Sequence, residues 1–274
     1  MRLAELRCTP CGREFPIVDG IPDFFISETE DDFIDEPSKT WLDLKIVAAR
    51  DTVYRLCARE LKGMAFCMQE IRQRTAAGCR VLEVGMGTGH FTRWLAEVSR
   101  PGTEIYAFDY SWPIIEKAKA NTQDLSDVTL FRANSRGLLP FKNESFDIAL
   151  LRLVPLGAHG IPNVQAGYEI LRLGGWYFEA GWEQVRYETF PTEWAMQHGY
   201  ESAEHHEWQY WRTQTSQEQT ASLIEREHLV AQGGPTVKKT QHQVKEAQSA
   251  SGEEGSVQKM THEHLLIANK PFSR

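Results

Sequence analysis

The sequence lacks a long apolar run, an excess of basic charge and a regular cysteine framework. In its 274 residues no apolar stretch is long enough to cross a bilayer, and the opening MRLAELRCTP lacks the apolar core of a signal peptide. The formal net charge is −8, whereas nucleic-acid-binding proteins present basic surfaces that neutralise phosphate. Five cysteines, an odd number without regular spacing, fit a reducing compartment. We therefore expect a cytoplasmic protein that neither spans a membrane nor binds nucleic acid.

The sequence does contain a glycine-rich turn between a short apolar run and an amphipathic segment. Residues 81–84 form the apolar run, which includes one acid, Glu83, and leads into Gly85, Gly87 and Gly89. Apolar side chains then recur at helical spacing. A strand that turns through glycines into a helix lets a ligand approach the backbone, because no side chain intervenes. The turn therefore predicts a nucleotide-type binding site.

A second apolar run, residues 104–108, ends in an acid, Asp109, about twenty residues beyond the glycines. A carboxylate at this place can accept hydrogen bonds from both hydroxyls of a ribose. The glycine spacing is E-x-G-x-G-x-G, whereas dinucleotide-binding domains carry G-x-G-x-x-G. The pattern therefore favours a nucleoside other than a nicotinamide or flavin dinucleotide.

The glycine motif and the segments after it resemble the class I S-adenosylmethionine-dependent methyltransferases, of the small-molecule type with a methyltransferase-11 or -25 core. Residues 130–151, LFRANSRGLLPFKNESFDIALL, are similar to the GDA…LPF…SFD segment of that family. Asn134 takes the usual aspartate position and Ser135 follows it. Residues 169–182, EILRLGGWYFEAGW, are similar to the family's helix end and fifth strand. The likeness covers most of the chain after Cys79.

The resemblance implies an α/β fold, with a Rossmann-like sheet of seven strands, helices on both faces and an antiparallel last strand. The alternation of strand and helix patterns from residue 79 to 181 independently indicates a parallel sheet covered on both faces. The resemblance also implies S-adenosylmethionine as cofactor, with the glycines beside its amino-acid part, an acid near its ammonium, and an acid on its ribose. The residues implied at this site are Glu83, Gly85, Gly87, Gly89, Asp109, Tyr110, Asn134, Ser135 and Leu153.

Residues 1–26 form a separate small element that contains a Cys8-x-x-Cys11 turn. The turn resembles one knuckle of a zinc ribbon, and with the tail FPIVDGIPDF the element resembles the second half of a Trm112-like module. Structural zinc takes four ligands and this turn supplies two, so we favour a hairpin without metal. A zinc site completed by distant residues or by a second subunit stays the alternative. Residues 27–78 are interpreted as a linker followed by a helical cap.

Residues 79–274 are expected to form the methyltransferase domain, with an aromatic-rich insertion at residues 182–215. The insertion is either a lid over the acceptor or a cluster of rings that bury one another or form a homodimer contact. A helix at residues 216–230 and two strands, residues 236–244 and 262–269, are predicted to follow and to close the sheet.

Three histidines are the candidates for catalysis. His159 follows the fourth strand, near where many small-molecule methyltransferases carry a histidine, and is either a general base or a loop residue without a role. His205 and His206 lie in the aromatic insertion, where they could line a substrate pocket or bind a metal. The predicted function is methyl transfer to the oxygen, nitrogen or carbon of a small apolar or aromatic metabolite. The alternatives are an rRNA or tRNA methyltransferase and a non-catalytic partner protein that binds S-adenosylmethionine.

Overall fold

A computed structural model describes residues 5–9, 12–25, 43–135, 141–152, 163–182, 191–222 and 257–273. The N-terminal strands are β1 (Glu5–Arg7), β2 (Glu14–Val18) and β3 (Ile21–Pro22). The strands of the main sheet are β4 (Arg80–Val84), β5 (Glu104–Asp109), β6 (Val128–Arg132), β7 (Phe146–Arg152), β8 (Leu171–Trp182), β9 (Ser202–Gln214) and β10 (Val257–Asn269). The helices are α1 (Leu44–Cys57), α2 (Lys62–Arg74), α3 (His90–Val98), α4 (Trp112–Thr122), α5 (Asn163–Ile170) and α6 (Pro191–Gln197), and residues 216–222 are also helical.

The main sheet has the order β6-β5-β4-β7-β8-β10-β9. Strands β6, β5, β4, β7 and β8 run parallel, whereas β10 is antiparallel to both of its neighbours. Successive residues of β4 point to opposite faces, so that Val81 joins the core under α1 and α2 while Leu82 joins the core under α5 and α6. This arrangement confirms the predicted Rossmann-like α/β fold with seven strands and an antiparallel last strand.

The largest difference from the sequence-based prediction lies in residues 202–214. The sequence predicts an aromatic insertion here, but these residues form the edge strand β9, which pairs with β10 from Ser202 opposite Asn269 to Gln214 opposite Val257. Exposed and partly buried residues alternate along β9, apart from His205 and His206, which are both partly buried, and this is the period of a half-covered strand. The high aromatic content concealed that period, and the strand proposed at residues 236–244 lies outside the described residues. Strand β10 also begins five residues before the predicted position 262.

Helices α1 and α2 pack on the sheet, in the stretch where the sequence predicts a helical cap. Asp43 caps α1, since its side chain accepts hydrogen bonds from the backbone N–H groups of Lys45 and Ile46. Apolar side chains recur at three- and four-residue spacing along these helices and pack in the core: Val53, Cys57, Leu61, Met64, Met68 and Ile71. In the described part of the chain, none of the helices has the length and apolar character needed to cross a membrane.

The N-terminal strands form an antiparallel sheet of three strands that docks against β6. Phe24 packs edge-on against Phe15 of β2 and Phe131 of β6, with ring centroids 5.2 and 5.7 Å apart. The backbone N–H of Phe24 also donates to the carbonyl of Arg132 at 2.8 Å. Cys8 is a free, partly buried thiol, and Cys11 lies outside the described residues, so the absence of zinc from this element stays a prediction.

A glycine at the start of α3 sets the distance between α3 and α4. Gly89 has a left-handed φ of 84°, and a Cβ atom added there would lie 2.9 Å from the Cα of Ala118. Any side chain would therefore push α4 away from the turn that follows β4. This close approach explains why the chain carries glycine at the end of the turn.

We expect Gly89→Ala to lower the free energy of unfolding by about 3 kcal/mol, because left-handed strain adds to the clash with α4. Gly78 is a matched control, since its φ is 80° and nothing lies within 4 Å of an added Cβ. Gly78→Ala should cost only about 1 kcal/mol, from backbone strain alone. Urea unfolding curves measure both values, and equal losses would contradict the packing role of Gly89.

Candidate functional site

The glycine turn lies between the ends of two neighbouring parallel strands, β4 and β5. Gly85, Gly87 and Gly89 all have positive φ values, of 74°, 56° and 84°. The backbone N–H groups of Gly85 and Met86 both donate to the carbonyl of Phe108, each at 3.0 Å. The turn is therefore fastened to the end of β5, and glycine meets a conformational requirement at each of the three positions.

Asp109 ends β5 and faces the turn. Its carboxylate accepts hydrogen bonds from the backbone N–H groups of Gly87, Tyr110 and Ser111, at 3.2, 2.8 and 3.3 Å. The residue is only 7% exposed. Because an ionised carboxylate has about four acceptor positions, these three bonds orient Asp109 and leave acceptor capacity for a ligand hydroxyl. Burial raises the pKa of Asp109 to about 6, against the lowering effect of the three backbone donors.

Glu83 is fully buried near the end of β4 and forms an ion pair with Arg152 at the end of β7. The guanidinium Nε donates to Glu83 Oε1 at 2.8 Å, and another guanidinium nitrogen donates to the carbonyls of Gly85 and Met86, at 3.3 and 2.9 Å. Arg152 also lies over the ring of Phe91, 4.1 Å from its centroid. Arg152 therefore binds the carbonyls of the turn and neutralises Glu83, the acid that the family resemblance implies near a cofactor ammonium.

Glu83 Oε2 has no hydrogen-bond partner among the described residues, although it is buried. An orphaned carboxylate oxygen beside a ligand-binding turn fits a cationic group, so the residues present are compatible with the ammonium contact assigned to Glu83. The sequence-based prediction missed Arg152. Its signal was a charged side chain at the end of an otherwise apolar strand, which indicates a buried partner.

Helix α1 covers the turn from the side opposite the sheet. Tyr54 lies over Gly87, where an added Cβ would meet its ring at 3.4 Å. Asp51 accepts a hydrogen bond from Asn121 Nδ2 at 2.9 Å and contacts His90 Nε2 at 3.0 Å. The same amide of Asn121 donates to the carbonyl of Thr88 at 2.8 Å. These polar contacts hold α1, α3 and α4 together around the turn.

The residues implied for the adenine side lie at the same edge of the sheet. Asp109 pairs with Arg132 in register, so Asn134 and Ser135 follow the end of β6 beside the end of β5. The backbone carbonyl of Tyr110 accepts a hydrogen bond from Arg132 Nε at 2.8 Å. The roles of Tyr110, Asn134 and Ser135 toward adenine stay predictions. Leu153, implied beneath the cofactor, lies outside the described residues.

Of the three candidate catalytic histidines, the two in the described part of the chain, His205 and His206, lie away from the glycine turn. His159 lies outside the described residues. His205 and His206 are neighbours on β9, so they point to opposite faces of the sheet. Strand β9 stands four strands from β4, roughly 19 Å away at about 4.8 Å per strand. A catalytic role for this pair therefore stays a prediction, and the sheet order argues against it.

The reversed strand β10, the glycine turn and the acid at the end of β5 define a Rossmann-like α/β domain with a nucleoside-type site. Residues 81–175 match the family model described as a methyltransferase domain. This match spans β4 to the start of β8 and contains the turn, Asp109 and Arg152.

Two curated relatives share part of this region, and both are named demethylmenaquinone methyltransferase. The chain is 33% identical over 102 residues to the protein of Lactiplantibacillus plantarum, which covers 36% of this chain and 41% of that protein. It is 26% identical over 110 residues to the protein of a Geobacillus species, which covers 38% of this chain and 45% of that protein. The chain thus matches less than half the length of either relative.

Two solved structures share the fold more extensively. The YcgJ protein of Bacillus subtilis superposes with a TM-score of 0.53 at 14% identity, covering 76% of this chain and 97% of that one. The second is phosphoethanolamine N-methyltransferase 2 of Haemonchus contortus, solved with phosphomonomethylethanolamine and S-adenosylhomocysteine. It superposes with a TM-score of 0.54 at 16% identity, covering 94% of this chain and 62% of that one. At these identities the two structures support the fold alone.

We expect Arg152→Met to lower the free energy of unfolding by about 3–5 kcal/mol, because it leaves the carboxylate of Glu83 buried without a counter-charge. The double variant Glu83→Gln/Arg152→Met removes both charges and should recover part of that loss. Chemical denaturation of the two variants and the parent chain measures the effect. If the double variant were no more stable than Arg152→Met, the ion pair would not be the source of the loss.

Proposed function

We propose that this protein is an S-adenosylmethionine-dependent methyltransferase that acts on a small molecule. The match of residues 81–175 to a methyltransferase domain and the names of the curated relatives support this proposal. The observation that carries it is the buried carboxylate of Asp109, oriented by the N–H of Gly87 across a turn of left-handed glycines. That arrangement suits a ribose diol next to exposed main chain.

The cofactor supplies an electrophilic methyl group, since the methyl is bonded to a sulfonium. The protein's part is to hold the nucleoside and to orient an acceptor. Asp109 accepts from the ribose hydroxyls, and Gly85 and Gly87 leave room for the amino-acid portion. Glu83 uses its orphaned Oε2 toward the ammonium, directly or through water. The residues proposed beside the adenine ring are Tyr110, Asn134, Ser135 and Leu153.

We infer that the acceptor is a small apolar or aromatic metabolite, in keeping with the relatives' names. The acceptor approaches beside α1, where Tyr54 covers Gly87. In the sequence, a further segment follows β7. That segment contains His159, which we retain as the candidate general base. The acidic net charge of −8 disfavours an RNA acceptor, because an RNA-binding surface neutralises phosphate.

The N-terminal element belongs to the same proposal. We infer that residues 1–26 are a Trm112-like hairpin without zinc, supported by the small antiparallel sheet β1-β2-β3 and by the hydrophobic contact of Phe24 with β6. Residues 27–78 then form the linker and helical cap, and residues 79–274 the methyltransferase domain. The protein is expected in the cytoplasm, with a homodimer as the proposed alternative to a monomer.

Equilibrium dialysis and a labelling screen together test this function. The purified protein should bind S-adenosylmethionine and S-adenosylhomocysteine, and should not bind NAD or FAD. With a donor carrying a labelled methyl group and a metabolite extract, label should enter a low-molecular-weight product. Label in added RNA would favour the RNA methyltransferase, and binding without transfer to any fraction would favour the non-catalytic partner. Failure to bind either sulfur nucleoside would overturn the proposal.

We expect the affinity for S-adenosylhomocysteine to fall below pH 6. The ribose hydroxyls donate to the ionised carboxylate of Asp109, whose pKa is raised to about 6 by burial. Binding is therefore full above pH 7 and about tenfold weaker at pH 5, because protonation competes with the ligand. Isothermal titration calorimetry from pH 5 to 8 measures this dependence.

Asp109→Asn is the control for the pH experiment. Its affinity should be lower at pH 7.5, because a charge-assisted hydrogen bond is lost, and the decline between pH 7 and pH 5 should be absent. If the decline persisted in Asp109→Asn, another group would be responsible. The same raised pKa predicts that Asp109 makes the unliganded fold less stable as pH rises from about 4 to about 6, since the folded state holds the proton more tightly.

A further inference from the structure

Three metal-ligating side chains lie together on one face of the sheet edge, away from the glycine turn. His205 and Glu207 are two residues apart on β9, so they share a face. Glu207 stands directly opposite His264 of β10, which brings that histidine to the same face. The methyl-transfer chemistry proposed above makes no use of this cluster.

The distances within the cluster suit a single ion. One ligand atom from each of the three residues lies within 4.8 Å of the other two. His264 Nδ1 is 3.5 Å from Glu207 Oε1, and His205 Nδ1 is 3.9 Å from the same oxygen. Two ligands of a tetrahedral ion with bonds of about 2.1 Å lie roughly 3.4 Å apart, so small side-chain rotations complete the geometry.

The surroundings hold the imidazoles in place. The rings of His205 and His264 are parallel within 5°, with centroids 5.8 Å apart, and both direct Nδ1 toward the carboxylate. The side chain of His205 is 9% exposed and that of His264 24%, whereas the Glu207 side chain is 58% exposed. The site is therefore held by two shielded imidazoles on paired strands. It opens to solvent at the carboxylate of Glu207.

We propose that His205, Glu207 and His264 bind a divalent transition-metal ion, with Zn²⁺ as the first candidate. Imidazole nitrogens suit zinc, cobalt, nickel, copper and iron, whereas calcium and magnesium take oxygen ligands. Two histidines and one carboxylate supply three ligands and leave at least one coordination position for water or an oxygen-containing ligand. The ion therefore ties β9 to β10 and presents an open position to solvent.

Titration with Co²⁺, followed by displacement with Zn²⁺, tests the site directly. The full chain with Cys8→Ser and Cys11→Ser is used, so that the N-terminal thiols contribute no ligand. We expect one Co²⁺ per chain and a ligand-field absorption spectrum without a thiolate charge-transfer band. Binding of the metal alone is the readout, so the result is independent of whether the protein transfers methyl groups.

Single substitutions decide which residues bind the ion. His205→Ala and His264→Ala should each weaken Co²⁺ binding by at least about 100-fold, since even the loss of an outer hydrogen-bond partner costs 10–100-fold. Glu207→Gln is the substitution least able to disturb folding, because its side chain is exposed, and it should weaken binding in the same way. His206→Ala is the matched control, a histidine on the same strand that faces Phe66 and Trp208, and it should bind normally.

Circular dichroism of each variant separates loss of the site from loss of the fold. If a histidine variant unfolds, Glu207→Gln still decides the question. The proposal is overturned if the chain takes up no Co²⁺, or if binding survives both Glu207→Gln and His264→Ala.

Discussion

The buried ion pair of Glu83 and Arg152 is the interaction on which the site depends. It joins β4 to β7 at the centre of the sheet, where both side chains are almost completely removed from water. The guanidinium also binds the carbonyls of Gly85 and Met86, which a turn of left-handed glycines directs away from the ligand side. Because Arg152 donates to these two carbonyls, the opposite face of the turn is main chain without side chains. On that face the N–H of Gly87 donates to Asp109.

Contacts from three other parts of the chain hold the edges of the turn in place. Asp51 and Asn121 hold the cap helix α1 and the helix α4 to the carbonyl of Thr88. Beyond the end of β5, Arg132 binds the carbonyl of Tyr110 and forms an ion pair with Asp23 of the N-terminal element at 3.3 Å. The geometry around the turn is therefore determined jointly by the sheet, the cap and the N-terminal hairpin, and the cap and the hairpin both lie outside the matched residues 81–175.

How much of this could be predicted from the sequence depends on the range of the interactions involved. The glycine turn and Asp109 follow from local requirements, since positive φ values and strand ends leave a signature within a few residues. Strand β9 was missed because pairing with a strand about fifty residues later, not its own composition, decides that it joins the sheet. Arg152 was missed for the same reason, since its partners lie on β4 and on the turn, and neither adjoins it in the chain.

The place of β9 bears on the two interpretations of the aromatic segment, a lid over the turn or a cluster of packed rings. Its rings do not fold over the turn; Trp208 packs on Phe66 of α2, and the hydroxyl of Tyr210 accepts from the N–H of Lys62 at 3.0 Å while donating to Glu263. Glu263 in turn accepts from the N–H of Met64 at 2.9 Å, which closes the edge of the sheet against α2. Aromatic residues that pack between an edge strand and a helix stabilise the fold. Within the described residues, the rings of β9 therefore close the edge of the sheet against α2 and do not cover the glycine turn.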